Sequence, residues 1–416
     1  MFKWFKVKQV LPANKVADVA AETRAQLARF AGDIKTGGSV GVAVGSRGIA
    51  NLAVIVRETV RWLKECGTRP FIIPAMGSHG GATADGQIKV LAGYGITEAA
   101  MGCPIEASIE VEQVGTTTRG LPVFWSKAAL MADQILIINK IKPHMLFSGP
   151  VESGIIKMLV IGLGKHRGAL ALHQSTIEHG TDSRLLLEAA AVIKEKAGLL
   201  GGLGILENGY DETAQITALR ADEIEEREPV LLQQAADMLP RIPIDYLDLL
   251  IVDEMGKDIS GAGMDPNVLG RKEGSINEKP RITRIFVRDI TDASAGNAIG
   301  LGRADFTTSR LVNKINRLAT YTNALTAMRP SSARIPIYFD SDKEVLDAVL
   351  LTLGGKKTEL IEAAWIRNTL CLSEFWVTEQ VAKKLKDQGS ALKIINEPHL
   401  NRFDDHGNLL SPCSKR

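Results

Sequence analysis

The chain has 416 residues, of which 45% are hydrophobic and 24% charged, and its 50 lysines and arginines against 48 acids leave a formal net charge of +2. This is the composition of a folded protein with about two to three cores, not of a disordered one. A near-neutral chain with no long basic run excludes a nucleic acid or an anionic membrane recruited by bulk electrostatics.

In chain order, Ser39–Val44 (SVGVAV) is a valine-rich run ending at glycine, which predicts a buried strand. Ile49, Leu52, Ala53, Val56, Val60 and Leu63 recur at helical spacing, and Cys66-Gly67 stops that helix. Pro70–Ala75 is a second predicted strand, followed by a glycine-rich loop and a helix over Gln87–Ala92. Ile105–Val111 and Leu121–Trp125 are candidate strands, and Gln134–Ile138 (QILII) is a clear one. Leu185–Lys196 predicts a helix, Gly198–Gly204 a glycine-rich break, and Ala221–Leu239 a long helix ended by Pro240 and Pro243. A second series begins with strand Leu247–Val252 and continues with Arg281–Val287 and Ile335–Phe339, with helices around Thr308–Leu318 and Val345–Thr352.

Strands alternating with helices predict an α/β fold of two lobes, each with a mainly parallel sheet, and an active-site cleft between them. The expected division is an N-terminal catalytic domain over 1–240, a second α/β domain over 246–396, and a polar tail over 397–416, either loose or folded back on the first domain. No internal repeat or low-complexity tract is present.

Cys66, Cys103, Cys371 and Cys413 are dispersed, with no CxxC pair, which argues against zinc knuckles and disulfides and fits a reducing compartment. Met1-Phe2-Lys3-Trp4-Phe5-Lys6 is too short and too interrupted by lysine for a signal peptide. The longest apolar stretches, Ile155–Leu163 and Ile135–Ile138, fall short of a membrane span. The expectation is a soluble cytoplasmic protein with no membrane or nucleic-acid partner; oligomerisation stays open.

Polar groups follow three of the predicted strands. Arg47 lies in Gly45-Ser46-Arg47-Gly48, His79 in Gly77-Ser78-His79-Gly80-Gly81, and His144 in Lys140-Ile141-Lys142-Pro143-His144. The carboxyl edge of an open α/β sheet is where loops converge on a ligand. Arginine there suits a carboxylate or phosphate held by two parallel hydrogen bonds. A single histidine in a turn is more often structural than functional; two histidines and an arginine at strand exits shift that balance.

Lys157 sits in the apolar run Ile155–Leu163, where an amine must snorkel, pair or lose its charge; a neutral lysine is a nucleophile or a cofactor attachment point. His173, sixteen residues further on, could ligate a metal or simply satisfy a helix. Gly41–Gly48 and Gly162–Gly168 lack the spacing of a dinucleotide loop. The polar segment from Gly256 to Asn267, containing Lys257, follows another predicted strand and is open to two readings, a lid or a plain surface loop.

The ordered set Arg47, His79 in GSHGG, His144 in Lys-Pro-His, Lys157 and His173 resembles the nickel-pincer-nucleotide lactate racemase family, over roughly Ser39 to Leu206. The resemblance implies an isomerase that racemises or epimerises a 2-hydroxy acid. It implies a nickel-containing pyridinium-3,5-bisthiocarboxylic acid mononucleotide attached to Lys157, with His173 as the nickel ligand and Ser46 and Lys142 beside the cofactor. His79 and His144 would be the paired acid/base groups, Arg47 and Lys257 would bind the substrate, and cofactor-biosynthesis proteins would be partners. The family's Gly-Gly-Arg before the lysine is replaced here by Gly154-Ile155-Ile156, and Gly263 and Pro266 stand where a glutamine and a lysine follow the Lys257-Asp258 pair. These departures point to a larger hydroxy acid or sugar acid rather than lactate. Two other classes compete: a metal-dependent hydroxy-acid lyase or dehydratase, and a non-catalytic protein that binds an anionic metabolite through Arg47 and Lys142.

Overall fold

The computed structural model describes residues 2–45, 48–272, 279–387 and 392–413. The chain forms two compact units, Pro12–Leu239 and, together, Met1–Leu11 with Pro240–Arg416.

The Pro12–Leu239 unit is built on a five-stranded sheet, in the order Arg69–Pro74, Ser39–Val44, Gln134–Lys140, Leu199–Glu207 and Thr213–Arg220. The first four strands are parallel and the last is antiparallel to its neighbour. Strand periodicity explains the continuous apolar runs. Val40, Val42 and Val44 join Leu136 and Ile138 in one core with Ile55, Val56 and Leu63 of helix Leu52–Glu65. Ala43, Ile135 and Ile137 face the other way and pack with Ile155, Leu159 and Leu186. Both faces are covered, so both sets are apolar. Each such side chain contributes about 1.5–3 kcal/mol by burial.

Three expectations are corrected in these units. Gly198–Gly204 is not a break but most of the Leu199–Glu207 strand. Its glycines answer crowding: a Cβ on Gly202 would lie 2.9 Å from the Ile137 carbonyl oxygen, and one on Gly204 would lie 2.6 Å from Cδ1 of Ile141. Ile105–Val111 contributes only a single bridge, Ile72 to Ile105, because Ile109 has no apolar face to cover it and stays exposed. Pairing begins at Val111–Thr116, which forms an antiparallel ribbon with Pro122–Ser126. The single helix expected around Thr308–Leu318 is two, Ser309–Asn313 and Arg317–Thr326, because the Asn316 side chain accepts from the Ala319 amide and starts a new helix.

The second unit carries an eight-stranded sheet, ordered Ile337–Phe339, Phe306–Thr308, Arg281–Ile290, Tyr246–Met255, Ala363–Ile366, Glu374–Thr378, Lys3–Gln9 and Leu392–Leu400. Its first five strands are parallel and the remaining pairings antiparallel. Here the expectation for the tail, and for residues 1–11, is overturned. Lys3–Gln9 fills the gap between Glu374–Thr378 and Leu392–Leu400, pairing Val7 with both Phe375 and Ile394. The segment past 400 also belongs to this unit. Buried Arg288 pairs with Asp253 and Asp342 and donates to the Leu409 carbonyl, while Asp342 accepts from the Leu409 amide at 2.8 Å. A buried arginine needs such partners, and the tail supplies one of them.

Candidate active site at the carboxyl edge of the five-stranded sheet

Strands Ser39–Val44, Arg69–Pro74 and Gln134–Lys140 run parallel, so their exits lie on one edge. Ser46 and Arg47 lie outside the described residues. The flanking chain is fixed: Lys140 and Glu207, at the ends of neighbouring strands, form an ion pair, and Glu207 also accepts from the Ala50 amide at 2.8 Å. At the first exit a Cβ on Gly45 would lie 3.1 Å from Oδ1 of Asn139 and 3.5 Å from Sδ of Met158, so this exit, the Gln134–Lys140 strand and the segment after Lys157 are in close contact.

His79 is exposed on the loop after Arg69–Pro74. Its amide donates to the Met76 carbonyl at 3.1 Å, and the Gly77 amide donates to the Gly162 carbonyl at 3.2 Å. Gly77, Gly80, Gly81 and Ala82 all have left-handed backbones, so the loop forms no regular ladder. Gln87, fully buried, instead donates from Nε2 to the Gly77 carbonyl at 3.1 Å and to the His79 carbonyl at 3.4 Å.

His144 lies past the Gln134–Lys140 strand, half-buried. Lys142, also half-buried, exchanges backbone hydrogen bonds with Ser153. The Glu152 carboxylate accepts from the His144 amide at 2.5 Å. Nδ1 of His144 accepts from the amides of Leu146 at 3.2 Å and Phe147 at 3.1 Å. A ring nitrogen that accepts carries no proton, so the neutral imidazole carries its proton on Nε2 and presents that N–H as a donor. The ring stacks on Phe147 at a centroid distance of 5.2 Å, and Phe147 stacks on His173 at 6.4 Å. One buried phenyl therefore spaces the two imidazoles.

Lys157 is half-buried at the end of a single helical turn, Ile155–Lys157, continued by a wide turn over Met158–Gly162 and then by helix Lys165–His179, which carries His173. Asn139 ties this turn to the neighbouring strand, donating to the Gly154 carbonyl at 2.9 Å. Beneath it lies Glu228 of helix Ile224–Met238, whose Oε2 accepts from the Ile156 amide at 3.0 Å. Burial pushes this carboxyl up to about 7, against the opposing pull of the Ile156 and Ile155 amides.

The elements bearing His79, His144, Lys157 and His173 are thus packed against one another at one sheet edge. Lys257 belongs to the other unit, where Nζ donates to the Gly261 carbonyl at 2.7 Å and its amide to Oγ of Ser294 at 2.8 Å. Among the described residues no three His, Cys, Asp or Glu side chains cluster as a metal site. Gln87, Glu228, Phe147 and Lys165 were not singled out from the sequence. Glu228 sits in Glu225-Glu226-Arg227-Glu228, which has the pattern of a solvated helix face, and no local signal marks it as buried.

Residues 35–183 match the model of the lactate racemase N-terminal domain. The lactate racemase apoprotein from Thermoanaerobacterium thermosaccharolyticum is similar in structure at 14% sequence identity and a TM-score of 0.44, over 68% of this chain and 74% of that one. No curated protein matches. His79, His144, Lys157 and His173 all fall inside the matched segment. Over that segment, about a third of its length, the chain is similar to the lactate racemase N-terminal domain.

Proposed function

We propose that the protein is a 2-hydroxy-acid racemase or epimerase using a nickel-pincer nucleotide held on Lys157. The observation that carries this reading is the stack His144–Phe147–His173, packed beside the Lys157 turn within the matched segment. The donor set fits such a group. Lys157 offers one half-buried amine for attachment and His173 one imidazole, which suits a metal that brings carbon and sulfur donors with it. When bound, the group supplies an electron-deficient carbon that accepts and returns the α-hydrogen of the substrate as hydride.

The chain's own residues do the rest. A proton α to an ionised carboxylate is a poor acid, so hydride removal avoids a dianion. Loss of hydride requires the substrate hydroxyl to lose its proton, and a histidine takes it. With Nδ1 accepting from two amides, His144 gives a proton from Nε2 to the oxygen; taking one at Nε2 needs the other tautomer, with Nδ1 protonated and those two hydrogen bonds given up. His79, at the exit of the strand on the other side of Ser39–Val44, serves the mirror-image substrate, because the two enantiomers present their hydroxyls differently. Arg47 would bind the carboxylate, with Ser46 and Lys142 beside the cofactor. Ile156 stands where the resemblance places an arginine, and the loss of that cation favours a larger hydroxy acid or a sugar acid over lactate.

Among the described residues no helix is long and apolar enough to cross a membrane. Cys66, Cys103, Cys371 and Cys413 are free thiols, which supports a cytoplasmic location, where cofactor-making proteins would load Lys157. The test is intact mass and nickel content after co-expression with a nickel-pincer biosynthesis pathway. Added mass on Lys157 and about one nickel per chain, both lost in Lys157→Ala, are expected. An unmodified, nickel-free Lys157 under those conditions overturns the reading.

A further inference from the structure

Lys165 is buried completely and sits, though not glycine, at a left-handed φ of 52° where helix Lys165–His179 begins. A strained backbone of this kind costs on the order of 1 kcal/mol and persists only where its surroundings hold it. Its Nζ donates to the Pro74 carbonyl at 2.6 Å and to Oε1 of Gln87 at 3.3 Å. A lysine ammonium has donors only, so the Gln87 amide must turn its oxygen toward Lys165 and its NH₂ toward the loop. That NH₂ holds the carbonyls of Gly77 and His79.

We propose that Lys165 and Gln87 form a buried brace that sets the His79 loop against the helix carrying His173, so that both are positioning residues for the His79 imidazole. The inference rests on the reading of His79 as an acid/base group. Pro74 closes the strand that leads into the loop, Gln87 lies in the first turn of helix Ala84–Gly93 that leaves it, and Lys165 starts the helix of His173, so one amine joins three elements. Burial pushes the Lys165 amine down to about 8, with Glu106 opposing, so the brace is held against a desolvation penalty that an ordinary packing lysine would escape by snorkelling.

Gln87→Glu is the discriminating variant. It keeps an acceptor for Lys165 but sets carboxylate oxygen against two carbonyls. Hydrogen exchange at residues 77–83 is expected to quicken about tenfold or more, while residues 168–179 keep their protection. In the cofactor-loaded enzyme turnover is expected to fall about 10²-fold with KM little changed, as for a misplaced catalytic group. Gln87→Met, apolar and close in size, should give the same pattern if the glutamate variant folds poorly. Wild-type exchange at 77–83 in the folded variants overturns the brace. Faster exchange with unchanged turnover overturns the positioning role. If the loaded wild-type enzyme turns over no hydroxy acid, the acid/base reading of His79, and with it the positioning role, is overturned, and the exchange result still decides the brace.

Discussion

The sharpest consequence of the Lys157 turn is the pH dependence that Glu228 imposes. Glu228 is 1% exposed. One carboxyl oxygen accepts from the Ile156 amide; the other, Oε1, lies against Gly154 with no hydrogen-bond partner among the described residues. Burial therefore favours the protonated form and raises the group from its ordinary 4.5 to about 7. In the unfolded chain the same carboxyl ionises near 4.5. Between those two values the folded protein holds a proton that the unfolded chain has released, so stability falls as pH rises through the window and levels off above about 7. At about 1.4 kcal/mol for each pH unit, the loss is on the order of 3 kcal/mol. Glu228→Gln keeps an oxygen for the Ile156 amide and stays neutral throughout. Near pH 5 the variant should match the wild type within about 1 kcal/mol, and by about pH 8 it should be more stable by about 3 kcal/mol. Urea unfolding of both proteins across that range measures the difference, in which every other titrating group cancels. A stability difference that stays constant with pH would refute the reasoning, because it would mean that the carboxylate is solvated or paired.

Gly154→Ala would set a Cβ 2.2 Å from Oε1 of Glu228, so it should cost about 1–3 kcal/mol by overpacking. The cost should shrink in a Glu228→Ala background, and a double-mutant cycle with no coupling would show that the two groups do not touch. Arg288→Ala leaves Asp342 buried without its strongest partner and should cost about 3–5 kcal/mol. It should also release residues 402–413 to limited proteolysis before the rest of the second unit, and resistance equal to wild type would contradict a tail pinned by that arginine.

How far the sequence alone could reach follows from the range of each interaction. The sheet edge was legible because it is a local pattern: a short apolar run followed within a few residues by a turn-former and a polar residue, Gly77 before His79 and Pro143 before His144. Both strands appear within a residue or two of the expected positions. The Leu199–Glu207 strand was hidden because its glycines, which in isolation signal a break, are there to admit Ile155 and Ile141, side chains more than forty residues away. Lys3–Gln9 was hidden for the same reason, since its partners Glu374–Thr378 and Leu392–Leu400 lie at the opposite end of the chain.

The supports of the candidate site obey the same rule more strictly. Lys165 reaches partners 91 and 78 residues away, and Glu228 reaches one 72 residues away. Nothing near either residue in sequence distinguishes it from a surface charge. Yet two of the groups proposed for chemistry, His79 and Lys157, sit on an exposed loop and on a single turn of helix, neither of which holds its own shape. A glycine-rich loop free to approach a ligand cannot satisfy its own carbonyls, and one helical turn leaves its first amides open. Each deficiency is met from below by a buried side chain of the right polarity, Gln87 backed by an amine for the carbonyls and a carboxyl for the amides. The perturbed charge of Lys165 and of Glu228 follows from that task. A group buried deeply enough to brace a working loop loses its water, so its protonation equilibrium shifts toward the neutral form whether it is an acid or a base.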